Sequence, residues 1–176
     1  MVLGVGVKTH AFFKGVKMFK KFDITDSMFQ NASLKAAALG VRPNSITSGQ
    51  GNIVGFLGEE VARLALDGIE KNSFEHDLLL QDGRSIEVKT QKLKYEPKPH
   101  FTCYVSAFNP RQVCDYYCFV GVDASYKKGW YLGVYPKREY MQKATFLKAG
   151  DNYPGSVHKV KANCYTMKLG DLLQQP

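Results

Sequence analysis

The chain has 176 residues, enough for one domain with a hydrophobic core that needs no disulfide or metal staples. It carries 24 Lys and Arg against 16 Asp and Glu, a formal net charge of +8 and a pI near 9.3, which favours polyanionic partners, nucleic acid first and an anionic membrane surface second. No apolar run approaches the roughly 18 residues of a membrane span, and Met1 to Val7 is too short for a signal-peptide core; the expectation is a cytoplasmic protein with no membrane partner.

The first 21 residues hold Lys8, Lys14, Lys17, Lys20 and Lys21, interleaved with Phe12, Phe13 and Phe19 and no acidic residue. They read as a basic arm or an edge element over the core. Asp26 to Leu39 predicts a helix capped by Thr25 or Asp26 and stopped by Gly40. A loop through Pro43, Ser48 and Gly51 leads to a second helix from about Ile53 to Leu66, with Ile53, Leu57, Val61, Leu64 and Ala65 as its buried stripe. Its Gly55 and Gly58 suit a close approach to a neighbour.

The next segment, His76 to Thr90, sets charges into an otherwise apolar hairpin, which costs stability unless the charges have a use. From Ser85 to Thr90 the residues alternate, so Ser85, Glu87 and Lys89 share one face and Ile86 and Val88 the other. Asp82-Gly83 is a turn signal. A two-residue loop there would set Asp77 opposite Val88, on the wrong face for Glu87. A three-residue loop, Asp82-Gly83-Arg84, pairs Leu79 with Glu87 and Asp77 with Lys89 and gathers the charges. The expectation is an odd loop or a bulge, with Gly83 left-handed.

A basic loop follows, Gln91 to His100, with Lys92, Lys94, Tyr95 and Lys98. Phe101 to Phe108 and Val113 to Asp123 read as a third and fourth strand, the latter apolar enough to be central. Lys127-Lys128-Gly129 turns into a fifth strand, Trp130 to Tyr135, and Lys137 to Leu147 reads as a helix. One more strand-like segment spans Val157 to Met167. The whole forms a single α/β domain, 1–176, with a basic N-terminal extension and helix over 1–50, a core over 51–148 and a C-terminal extension over 149–176. Cys103, Cys114, Cys118 and Cys164 lack a CxxC spacing and read as small buried hydrophobes in a reducing compartment.

Two carboxylates on adjacent strands, Asp77 and Glu87, suit Mg2+ or Mn2+, hard ions that polarise a phosphate and acidify a water; the Val88 carbonyl is a third candidate ligand. Lys89, two residues on, can reach the same phosphate or water, and charge stabilisation suits it better than proton abstraction. Gln91 continues that face. His10, His76, His100 and His158 have no zinc spacing, and the glycines of Gly4-Val5-Gly6 and Gly49-Gln50-Gly51 form no phosphate loop.

Asp77, followed by Glu87-Val88-Lys89, resembles the motif of the PD-(D/E)XK nuclease superfamily, with His76 where that pattern often has proline. Gly55-Phe56-Leu57-Gly58-Glu59 resembles the first core helix of archaeal Holliday-junction resolvases, and the likeness covers roughly Asn52 to Leu147. It implies a restriction-endonuclease-like fold, a mixed β-sheet of about five strands flanked by helices. It further implies a divalent-metal-dependent endonuclease that cuts DNA to 5′-phosphate and 3′-hydroxyl ends. Glu59 fits the motif's helix glutamate, while the helical wheel brings Glu60 nearer the apolar stripe. Gln91, Lys92, Lys94 and Lys98, with Lys14, Lys17, Lys20 and Lys21, are the expected DNA contacts. Cutting both strands of a duplex needs two active sites, hence a homodimer or larger assembly. The competing readings are a non-catalytic nucleic-acid-binding module of the same fold, and, for substrate, a branched-DNA resolvase against a sequence-specific restriction or homing enzyme.

Overall fold

The computed structural model describes residues 19–39, 51–71, 73, 75–108 and 113–176. Lys8, Lys14 and Lys17 lie outside them. Three helices and nine strands are assigned among the described residues. In chain order these are β1 (Lys20–Asp23), α1 (Asp26–Leu39), α2 (Gly51–Leu66), β2 (Ile69–Glu70), β3 (Leu78–Leu79), β4 (Ser85–Leu93) and β5 (Thr102–Ser106). There follow β6 (Tyr116–Asp123), β7 (Lys128–Pro136), α3 (Lys137–Lys143), β8 (Thr145–Leu147) and β9 (Cys164–Lys168).

The chain is mixed α/β. Its six-stranded sheet has the order β1-β7-β6-β4-β3-β2, in which β4 and β6 run parallel and the other neighbours antiparallel. A second sheet, β5-β9-β8, lies apart from it. Of its strands, β5 falls within the predicted strand Phe101 to Phe108 and β9 overlaps the end of the segment Val157 to Met167, whereas Thr145-Phe146-Leu147, read as the end of a helix, is β8 and pairs with β9. The helix ends at Ala144, whose backbone is extended, and the β-branched Thr145 after it favours continuing as a strand.

β6 and β7 are apolar on both faces because each face is covered. On one side α2 packs Val54, Leu57, Val61 and Ala62 against Ile86, Val88, Cys118, Val120 and Val134. On the other, Tyr117, Phe119, Trp130 and Leu132 meet Cys103 and Val105 of the second sheet, Tyr140 of α3 and Leu169 of the short 3-10 turn after β9. The stripe of α2 is rotated from the expected one: Leu64 is exposed, and Val54 and Ala62 are buried in its place.

Gly58 explains how closely α2 lies on β4. A Cβ built there would stand 1.8 Å from Thr90 Oγ1. Gly55 has nothing within 4 Å and needs another reason. In β7, Gly133 has φ +133° and sits at a register shift opposite Phe119 and Val120, where Leu132 is the extra residue of a bulge. α1 begins as expected, with the Thr25 hydroxyl accepting the Met28 N–H at 3.2 Å.

Candidate functional site

The hairpin that carries the charges turns at Gln81-Asp82-Gly83. The Gly83 N–H bonds the Leu80 carbonyl at 3.0 Å, the Leu80 N–H bonds the Arg84 carbonyl at 2.8 Å, and Gly83 has φ +87°. This is a type I turn closed by a left-handed glycine bulge. The loop is therefore odd and Gly83 left-handed. The expected register is corrected: Leu78 pairs with Ile86 and Leu79 with Ser85, where the sequence count had paired Leu79 with Glu87. The Asp82 carboxylate is the reason, since it accepts the Arg84 N–H at 3.1 Å and Nε at 2.7 Å and draws Arg84 out of the loop into the strand end. The difference is two residues, so parity is kept and no side chain changes face.

The β3 ladder on β4 stops before Glu87. Asp77 comes next; its N–H bonds the Ile86 carbonyl at 3.0 Å and its Oδ2 accepts the Val88 N–H at 2.7 Å. A carboxylate thus takes the place of a ladder carbonyl. In an extended strand the N–H and C=O of one residue point to the same side, so the Val88 carbonyl is directed to the edge where Asp77 stands. Glu87 is buried, and the Lys89 ammonium donates to its Oε1 at 2.8 Å. Lys89 also lies over the Tyr117 ring, 5.8 Å from its centroid.

Glu59 and Glu60 part company. Glu60 accepts Arg63 Nε and Nη2 at 2.8 and 2.7 Å, an ordinary pair along one helix. Glu59 is half-buried, and burial first, then the charge of Asp77, with smaller effects of Glu70 and Glu87, push its carboxyl up to about 8 against the opposing pull of Lys35. At neutral pH it holds a proton. Lys35 itself is paired with Glu70 and lies over Phe56. Sequence reasoning missed Lys35 and Tyr117, because neither lies in a motif; only the fold brings them to these carboxylates.

Among the described residues, no three His, Cys, Asp or Glu groups converge tightly enough to share one ion. Asp77 accepts the Val88 N–H where β3 leaves β4, and Glu59 feels the charge of Asp77 and, more weakly, of Glu87; with the Val88 carbonyl these are the groups that could offer oxygen ligands to a divalent cation.

The expected DNA contacts fall into groups. Gln91 is half-buried, with its amide nitrogen 3.4 Å from the Thr102 carbonyl; Lys94 and Lys98 are exposed; Lys92 donates to the Tyr126 hydroxyl at 3.0 Å. Lys20 and Lys21 sit on β1, over the rings of Phe22 and Trp130. Lys21 is in the same row as Gln91, through Trp130 and Gly121, but three strand spacings away, roughly 14 Å. His76 is half-buried, and its Nδ1 is enclosed without a hydrogen-bond partner. The four cysteines are free thiols, and burial raises that of Cys114, in the field of Glu87 and Lys89, to about 11. No helix among the described residues is long and apolar enough to cross a membrane.

Neither a model of a known protein family nor a curated protein sequence matches the chain.

Proposed function

We propose that this protein is a divalent-metal-dependent endonuclease that hydrolyses DNA phosphodiester bonds, built on a restriction-endonuclease-like core. One observation carries the reading: Asp77 is tied to the backbone of the Glu87-Val88-Lys89 strand at 2.7 Å, at the point where the neighbouring strand ends. A chain that needed these residues only for folding would gain nothing from burying Glu87, with Lys89 half-buried beside it, near two further carboxylates.

Asp77, Glu87 and the Val88 carbonyl, with Glu59 behind them, would hold Mg2+ or Mn2+. When bound, such an ion neutralises charge on the attacked phosphate and acidifies water. Glu87 anchors the Lys89 ammonium through its Oε1, and Lys89 would donate to a phosphate oxygen and orient the attacking water. Glu59, whose carboxyl is pushed up by burial and by Asp77, would become a ligand by losing its proton if a cation balanced these charges. The basic loop after β4 supplies backbone contacts, and cleavage of both duplex strands calls for two copies of the chain.

The test is incubation of the purified protein with supercoiled, linear and four-way-junction DNA in Mg2+, Mn2+ or EDTA. Cleavage should need the metal and fall by at least about a thousandfold in Asp77→Ala and Lys89→Ala, the scale on which removal of a single electrostatic group acts. Cleavage that survives EDTA or either substitution overturns the mechanism. Metal-independent binding with no cutting of any substrate points to a non-catalytic module.

A further inference from the structure

The outer face of the second sheet carries a groove of which the proposed nuclease reading uses only one wall, the end of β4 and the basic loop after it. Its volume is about 1000 Å3, at the upper end of small-molecule sites. Thr102, Tyr104 and Ser106, successive outward residues of β5, form its floor. The turn from Tyr153 to His158, closed by the Asn152–Lys159 bridge, forms one wall. Gln91, Lys92 and Lys94, from the end of β4 and the loop after it, form the other.

Two properties of the lining point the same way. Lys94, Lys159 and Lys161 are exposed at its lining, Lys92 borders it with its ammonium turned to the Tyr126 hydroxyl, His100 and His158 add two imidazoles, and no described lining residue is acidic. Between these charges stand the rings of Tyr104 and Tyr153, with centroids 6.1 Å apart and planes tilted by 43°, Tyr104 being 44% exposed. A cationic track with aromatic faces inside it is what an unpaired strand needs, because its phosphates meet lysines while its bases stack. A duplex keeps its bases stacked on one another and has no use for the rings.

The groove also leads somewhere. Gln91 lines it and shares the β4 face of Glu87 and Lys89, two residues or roughly 6.6 Å from Lys89 along the strand. We infer that this groove holds a single-stranded arm of nucleic acid and conducts it to Lys89, so that the substrate is DNA with an unpaired segment. The destination of the strand rests on the nuclease reading; the binding does not.

Anisotropy of a fluorescein-labelled oligodeoxythymidine in EDTA reads the groove without chemistry, and cleavage in Mg2+ of a duplex bearing a single-stranded flap reads the catalytic site. Wild type and Asp77→Asn should bind the oligonucleotide alike, with unlabelled duplex competing about tenfold less well. Tyr104→Ala combined with Tyr153→Ala should weaken binding about tenfold. Lys94→Gln combined with Lys161→Gln, both exposed and safe for folding, should make the slope of log Kd on log salt ~1.4 shallower. Equal competition by duplex, or unchanged affinity and slope in the lysine pair, overturns the inference. If the groove variants lose binding and the wild type never cuts, the groove stands and the nuclease reading fails. If cutting is metal-dependent but groove variants bind normally, the reverse holds.

Discussion

At the scale of single residues, the motif Asp77, Glu87, Lys89 was legible because alternation fixes which side chains share a face, and a carboxylate and an ammonium in apolar text stand out. The choice between Glu59 and Glu60 was not, since it depended on a stripe that tertiary packing rotates: Leu64, on which the wheel relied, is exposed. Glu59 carries a pH prediction whose sign follows from linkage. Its folded value of about 8 exceeds that of an unfolded glutamate, so the folded state binds the extra proton and stability is lost as pH rises from about 4.5 to 8. The full span is on the order of 5 kcal/mol and less if the site relaxes. Glu59→Gln in EDTA should therefore flatten the stability profile over this window and raise the urea midpoint most at pH 8. A wild-type profile already flat between pH 5 and 8 would show that Glu59 is not held protonated.

At the scale of elements, helices and most strands were readable from period and caps, β5 and β9 among them, whereas β8 and the pairing of these three into a second sheet were not. β5, β8 and β9 are short, and β8 hides behind a helical stretch; their pairing is decided by contacts far apart in sequence. The hairpin was read in its parity and its left-handed glycine, but its register slipped by two because the Asp82–Arg84 hydrogen bonds are a local preference that a strand count does not weigh. The α2–β4 contact allows a direct test. Thr90 Oγ1 is buried without a hydrogen-bond partner against Gly58, where a methyl group would collide with it. Gly58→Ala should cost about 1–3 kcal/mol by overpacking. The same change in a Thr90→Ala background should cost less, because the hydroxyl and its methyl neighbour are gone. Additive losses in denaturant melts would mean that α2 yields elsewhere and that Gly58 does not set its distance from β4.

At the scale of the molecule, two different surfaces of β4 have to be reconciled: α2 covers one face with the larger apolar core, while Asp77 reaches its edge from β3 and Lys89 lies over Tyr117 on the other side. The acidic groups therefore approach the edge of β4 from both sides, Glu59 from α2 and Glu87 from the opposite face, and a cation held there would couple the two. Mass action makes this measurable without activity. A ligand at a hundred times its Kd stabilises the folded state by about 2.7 kcal/mol, which for a domain of this size is a rise in Tm of roughly 5–10 °C. Mg2+ or Mn2+ should raise the Tm of the wild type by that order near saturation, and more at pH 8 than at pH 6, because Glu59 must first lose its proton. Asp77→Asn should abolish the rise, while Glu60→Gln, whose partner is Arg63, should leave it intact. A rise that persists in Asp77→Asn would place the ion elsewhere, and one equal in size for Ca2+, Mg2+ and Na+ would reduce it to general screening of the acidic cluster.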